Sequence, residues 1–140
     1  MQNKLKVYVA ARWHEKARVK ELHAKLKELG YGITHDWTEH KEIRPYLQNL
    51  DMANTYANVD MQGVIAADIF VLLTHAEIGA GSAGELGAAI ALTLTQGKPK
   101  IYVVGEHIEH NLFYYHPKVE RLASIENLVA SLANLKNAGN

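Results

Sequence analysis

The sequence predicts a doubly wound α/β domain: one parallel sheet with helices on both faces. Two observations carry that expectation. Short apolar runs alternate with longer segments of helical periodicity along the 140 residues, and strands that alternate with helices are driven to parallel pairing by right-handed crossovers. A glycine-rich turn follows the third apolar run, at the carboxyl edge where open α/β sheets bind ligands.

The elements follow in order. Residues 5–10, through Val7, Tyr8 and Val9, form a buried first strand. Residues 13–29 carry Ala17, Leu22, Leu26 and Leu29 at helical spacing and stop at Gly30, a C-terminal cap. Residues 31–35 form a short second strand. A polar stretch, 36–44, precedes Pro45 and a long helix over residues 48–66. The most apolar strand is the third, 68–74. The third helix, 82–96, is rich in Ala and Leu and is closed by Gly97. Residues 99–104 form the fourth strand. A loop over 105–117, with three histidines and two tyrosines, leads to a short fifth strand at 119–122. Ser124 then caps a last helix through Leu135. The expected strand order is 2-1-3-4-5, flavodoxin-like, with a switch point between strands one and three. The loops 10–13 and 75–82 meet there. No repeat or linker divides the chain, so residues 1–140 read as a single domain.

Composition narrows the function classes. Lys+Arg and Asp+Glu balance at 15 each, which argues against a duplex-binding or membrane-surface protein. Cysteine is absent, so disulfides, thiol nucleophiles and thiolate metal sites are excluded. No apolar run approaches the roughly 20 residues a spanning helix needs, and no signal-peptide core precedes the first strand. A soluble, cytoplasmic protein is expected. His35 and His40, and His107 and His110, pair across loops without a carboxylate at ligand spacing, so no metal and no cofactor is expected. Phe113, Tyr114 and Tyr115 lack an accompanying basic groove and point to an oligomer contact, not a nucleic-acid platform.

Glu85 is the most informative residue. It lies in the run GAGSAGELGAA, residues 79–89, between an apolar strand and a small-residue helix. Three readings are open. Ser82 and Glu85 fit the capping box S-x-x-E, in which both side chains satisfy free N–H groups of a helix start. Gly79, Gly81 and Gly84 fit G-x-G-x-x-G, with Glu106 near the position of a ribose-binding acid. That fingerprint normally opens the first βα unit, whereas here it follows the third strand. In the third reading the small residues admit a ligand to a catalytic carboxylate.

The run GSAGELGAAIA (81–91), followed by Gly97, Lys98, Pro99 and an apolar strand, resembles the signature of nucleoside 2-deoxyribosyltransferases. It is also similar to the related deoxynucleoside 5′-monophosphate N-glycosidases. The segment VYVAARW (7–13) resembles that family's first strand and loop, and Asp60 falls where the family keeps a base- or sugar-contacting aspartate. Asn111, Leu112 and Phe113 resemble a segment that transferases insert into a neighbouring subunit's site. One departure stands out. Six residues before the nucleophile the transferases carry aspartate and the nucleotide hydrolases serine, but here the residue is Gly79.

The resemblance implies that Glu85 attacks C1′ as nucleophile, that Tyr8 holds its carboxylate, and that Asp60 binds the base or assists its protonation. Ala10, Trp13, Gly79, Gly81, Ser82, Asn111 and Phe113 are the implied substrate-binding residues. Ser82, Glu77 and Asp60 are candidates for the contact that Gly79 cannot make. The expected function is base exchange between 2′-deoxynucleosides, with deoxynucleosides and free nucleobases as partners. A homo-oligomer is implied, in which Asn111 and Phe113 reach the neighbouring site. Two alternatives stay open: an N-glycoside hydrolase of deoxynucleosides or their 5′-monophosphates, and a non-catalytic sensor of nucleotides.

Overall fold

In the computed structural model, which describes residues 4–138, the strands are β1 (Lys6–Ala10), β2 (Gly32–Ile33), β3 (Ile69–Leu73), β4 (Lys100–Val104) and β5 (Val119–Leu122). The helices are α1 (Lys16–Glu28), α2 (Leu50–Ala66), α3 (Ala80–Gln96) and α4 (Ile125–Ala138). All strands pair in parallel in the order β2-β1-β3-β4-β5. The expected doubly wound, flavodoxin-like architecture is the observed one.

The apolar runs become strands covered on both faces. β3 is buried from end to end, and β1 and β4 are buried after their leading lysines. That is why these segments are continuously apolar and do not alternate. The edges are different. β2 contributes only two residues to the ladder, and β5 exposes Glu120 and Arg121. Short or charged edges discourage pairing with another sheet. The expected second strand of residues 31–35 is therefore shorter than its pattern, because only Gly32 and Ile33 find partners on β1.

Helix ends follow local chemistry. Gly97 closes α3 in the left-handed region at φ 79°, where its lack of a Cβ removes the steric cost. Ser124 Oγ accepts the Asn127 N–H at 3.1 Å, the expected cap of α4. Residues Trp13–Glu15 form a 3₁₀ turn before α1 begins. Tyr31, fully buried after α1, donates from its hydroxyl to the Leu132 carbonyl at 2.6 Å and so ties the end of α1 to α4. α2 and α3 lie side by side. No described helix is long and apolar enough to cross a membrane.

Gly63 in α2 governs how near that helix comes to β1. A Cβ built there would stand 2.9 Å from His35 Cβ and 2.9 Å from Tyr8 Cδ2. Alanine normally gains about 1 kcal/mol over glycine inside a helix. Here overpacking against a strand side chain outweighs it. We expect Gly63→Ala to lose up to about 2 kcal/mol net in denaturant unfolding, an overpacking penalty of about 1–3 kcal/mol less that gain.

Candidate active site

The chain leaves β1 toward β2 on one side and leaves β3 toward β4 on the other. The loops after the two neighbouring strands therefore part, and a cleft of about 710 Å³ opens between them. That volume is in the range of small-ligand sites, about 300–1,000 Å³. Its lining includes Tyr8, Trp13, Asp60, Gly79, Gly81, Ser82 and Glu85. These are seven of the ten residues singled out in the sequence, and they come from β1, α2, α3 and the loops that precede α1 and α3.

Glu85 lies in the second turn of α3, half-buried, with its carboxylate in the cleft wall. Tyr8, on the central strand β1 and fully buried, donates its hydroxyl to Glu85 Oε2. The Tyr8 ring stacks on Phe70 of β3, centroids 6.0 Å apart at 15°. Burial pushes the Glu85 carboxyl up to about 7. The hydrogen bond from Tyr8 works against that rise, and the negative charge of Asp60 adds to it. Tyr8 is itself pushed far up, first by burial and then by the charge of Glu85. It therefore stays a donor. A disfavoured charge, with Tyr8 as its donor and a cleft in front of it, makes Glu85 a candidate functional group.

The capping-box reading fails on geometry. α3 begins at Ala80, two residues before the expected start, and its N-cap Gly79 is extended with no side-chain cap. The first intrahelical bond runs from Ala83 N–H to Gly79 C=O, 3.0 Å. Ser82 is thus inside the helix, and Glu85 turns to Tyr8 without folding back on the helix start. Ser82 Oγ is buried without a hydrogen-bond partner. The Arg12 stem packs close to Gly79: a Cβ there would stand 3.2 Å from Arg12 Cγ, a tight contact. Arg12 Nη1 lies 3.0 Å from His75 Nδ1 and 3.7 Å from Glu77 Oε2. Glu77 is mostly exposed, and neither it nor Glu106 lines the cleft.

The α2 wall corrects the expectation for the histidines. Asp60 Oδ1 stands 3.1 Å from His35 Nε2 and 3.7 Å from His40 Nε2, and the two Nε2 atoms are 2.9 Å apart. A carboxylate does accompany the pair, delivered by a helix that starts ten residues further along the chain than His40. His40 stacks on Tyr56 at 3.8 Å and 7°. Burial draws His40 below its usual value and lifts Asp60 above its own.

Three expected binding residues are not in the cleft. Ala10 is buried at the end of β1, and Ala11 lines the cleft in its place. Asn111 and Phe113, expected at the site of a neighbouring copy, do not line the chain's own cleft; Asn111 Oδ1 accepts the Phe113 N–H at 2.8 Å, and Phe113 is 57% exposed. Conversely, Arg12, Trp37, His40, Arg44 and Tyr56 line the cleft although the sequence did not single them out for it. Trp37 Nε1 donates to the Val9 carbonyl at 2.7 Å, and its ring lies 6.2 Å from that of Trp13. The density of Trp, His and cationic residues in the polar stretch after the second strand was the available signal.

No protein-family model matches the sequence, and no curated protein matches it. Among solved structures, the fold is similar to that of the Clostridium botulinum CMP N-glycosidase BcmB. The TM-score is 0.60 at 18% identity, over 93% of this chain and 98% of that chain. The likeness is one of fold.

The raised Glu85 carboxyl has a consequence for stability. Its native value, about 7, lies above the ordinary 4.5, so between those pH values the native state holds a proton the unfolded chain has lost. Stability therefore falls as pH rises through that window, and the penalty is complete above 7. Glu85→Gln, whose amide oxygen still accepts from Tyr8, should match the parent chain near pH 4.5 and exceed it at pH 8. The expected gain is about 1–3 kcal/mol by denaturant unfolding at the two pH values.

Proposed function

We propose that this chain hydrolyses the N-glycosidic bond of a nucleoside 5′-monophosphate through a covalent glycosyl–Glu85 intermediate. The observation that carries the reading is the Glu85 carboxylate, half-buried in the cleft wall, bonded among the described residues to Tyr8 alone, and raised to about 7. Such a group attacks an anomeric carbon with little solvent to displace. One Glu85 oxygen bonds to C1′ as the C1′–N bond breaks. The bonding pair leaves with the base, which takes up a proton. Water then attacks C1′, releases the sugar phosphate and returns Glu85 to its starting state. Tyr8 holds the carboxylate oxygen that is not attacking, and the paired Trp13 and Trp37 offer an aromatic wall for the base.

A nucleotide is favoured over a nucleoside by the other end of the cleft. There the uncapped N-terminus of α3 and the unpartnered Ser82 hydroxyl come together beside Arg12, whose guanidinium also faces His75 and Glu77. Free N–H groups at a helix start together with a cation suit a phosphate. The fold shared with a CMP N-glycosidase supports the same choice. This ranks hydrolysis ahead of the base exchange that the sequence put first. A second reading keeps exchange, on one observation: Leu112 and Phe113, beside Asn111, are 78% and 57% exposed. An apolar loop of that kind fits insertion into the site of a second copy.

Free base released from deoxynucleoside and nucleoside 5′-monophosphates, followed by chromatography, tests the proposal. Glu85→Gln should abolish release by at least about 1,000-fold, as loss of a nucleophile does. No release from any monophosphate, with base exchange between nucleosides instead, would favour the transferase. In that case the protein should sediment as a dimer or larger, and Phe113→Asp should yield an inactive monomer. If neither reaction occurs and nucleotide affinity survives Glu85→Gln, a sensor remains.

The nucleophile must be ionised, so kcat/KM should rise with pH through about 7 and level off above it. Tyr8→Phe removes the bond that lowers the Glu85 value. The variant's acid limb should therefore move to higher pH, which a pH–rate profile reads directly. An unmoved limb would mean that the profile reports another group.

A further inference from the structure

We propose that His35, His40 and Asp60 form a divalent-cation site of the zinc-binding class on the α2 wall of the cleft. The inference goes beyond the reading of Glu85 and does not depend on it, because it rests on other residues. Three potential ligand atoms converge: His35 Nε2, His40 Nε2 and Asp60 Oδ1, separated by 2.9, 3.1 and 3.7 Å. Metal–ligand bonds of about 2.0–2.2 Å to imidazole nitrogen and carboxylate oxygen, opening at ordinary coordination angles, put neighbouring ligand atoms about 3–3.5 Å apart. The observed edges bracket that spacing. It is also the one group of three or more histidines or acids among the described residues whose ligand atoms lie close enough to share an ion.

One proton does not satisfy the arrangement. Placed on His35 Nε2 it faces His40 Nε2 at 2.9 Å and Asp60 Oδ1 at 3.1 Å at once, and the buried Asp60 oxygen gains no well-aligned hydrogen bond of its own. A cation at the common point satisfies all three atoms at once. The scaffold holds them in place: Gly63 brings His35 against α2, and the Tyr56 ring fixes the His40 plane. Two imidazoles and one carboxylate form a borderline donor set that suits zinc and cobalt better than magnesium or calcium. His40 and Asp60 line the cleft, so a cation bound there keeps open positions toward it. Three protein ligands with an open fourth position mark a reactive site, in contrast to a closed structural one. The open side suits a water or a ring nitrogen or carbonyl of a bound base.

The test uses the whole chain, stripped with a chelator and dialysed against Zn2+ alone. We expect one Zn2+ per chain by elemental analysis and calorimetry. His35→Ala with His40→Ala, and separately Asp60→Asn, should weaken binding by at least about 100-fold, the upper end of the loss on removing even an outer partner of a ligand. Glu85→Gln should leave it unchanged, so failure here and failure of the glycosidase reading are distinguishable. Zinc bound equally by the histidine variants, as it would be at His107 and His110, overturns the proposal. So does absence of zinc from the folded parent chain. If the variants do not fold, the visible spectrum of Co2+ added to the parent chain decides. Intense four- or five-coordinate bands support the site, and a weak spectrum like that of aqueous Co2+ overturns it.

Discussion

The contact between Tyr8 and Glu85 organises the molecule. Tyr8 stands on the central strand β1, fully buried and stacked on Phe70, and its hydroxyl is the one hydrogen-bond partner of the carboxylate among the described residues. Through it the most rigid part of the sheet fixes an acidic group that burial would otherwise neutralise. Nearly everything else about the cleft follows from that placement. α2 comes close to the same tyrosine ring at Gly63, and α3, which begins at Ala80, carries Glu85 on its second turn toward that tyrosine. A charge that costs stability above neutral pH is carried there by a core whose large side chains, Tyr8 and Phe70 among them, are fully buried.

The cleft has a chemical polarity that the topology creates. Its α3 end offers free N–H groups, an unpartnered hydroxyl and a guanidinium, all hospitable to negative charge. Its α2 end offers imidazoles, a carboxylate and aromatic rings, hospitable to a heterocycle or a cation. Glu85 is bracketed by the two. This separation comes from the switch point, which lets the loops after β1 and β3 bring different chemistries to a single crevice.

Much of this was legible in the sequence, and the limits have physical causes. The three central strands announced themselves because burial on both faces forces an unbroken apolar run, and the strand order followed from the alternation of elements. Glu85 and Ser82 stand out because glycines and an apolar strand frame them, whereas Tyr8 and Asp60 follow only from the resemblance of their segments to a known family. The helix start was misread because S-x-x-E fits a cap equally well, and only the extended backbone of Gly79 decides between the two. The histidine cluster was invisible because Asp60 reaches it through tertiary packing, twenty residues from His40, with no local spacing to mark it. Arg12 at the cleft was missed for the same reason: its stem packs close to Gly79, which is distant in sequence.

β2, with its two paired residues, has a broader implication. The segment that follows it, which carries Trp37, His40 and Arg44, is joined to the sheet chiefly through the indole of Trp37 and the carbonyl of Val9. Its remaining anchors come from the helices: Trp37 and Ile43 are buried, the Lys41 N–H donates to Tyr56 of α2, and His40 stacks on the same ring. The two walls of the crevice thus hang on different supports, one on the sheet and α3, the other on α2 and the segment it grips.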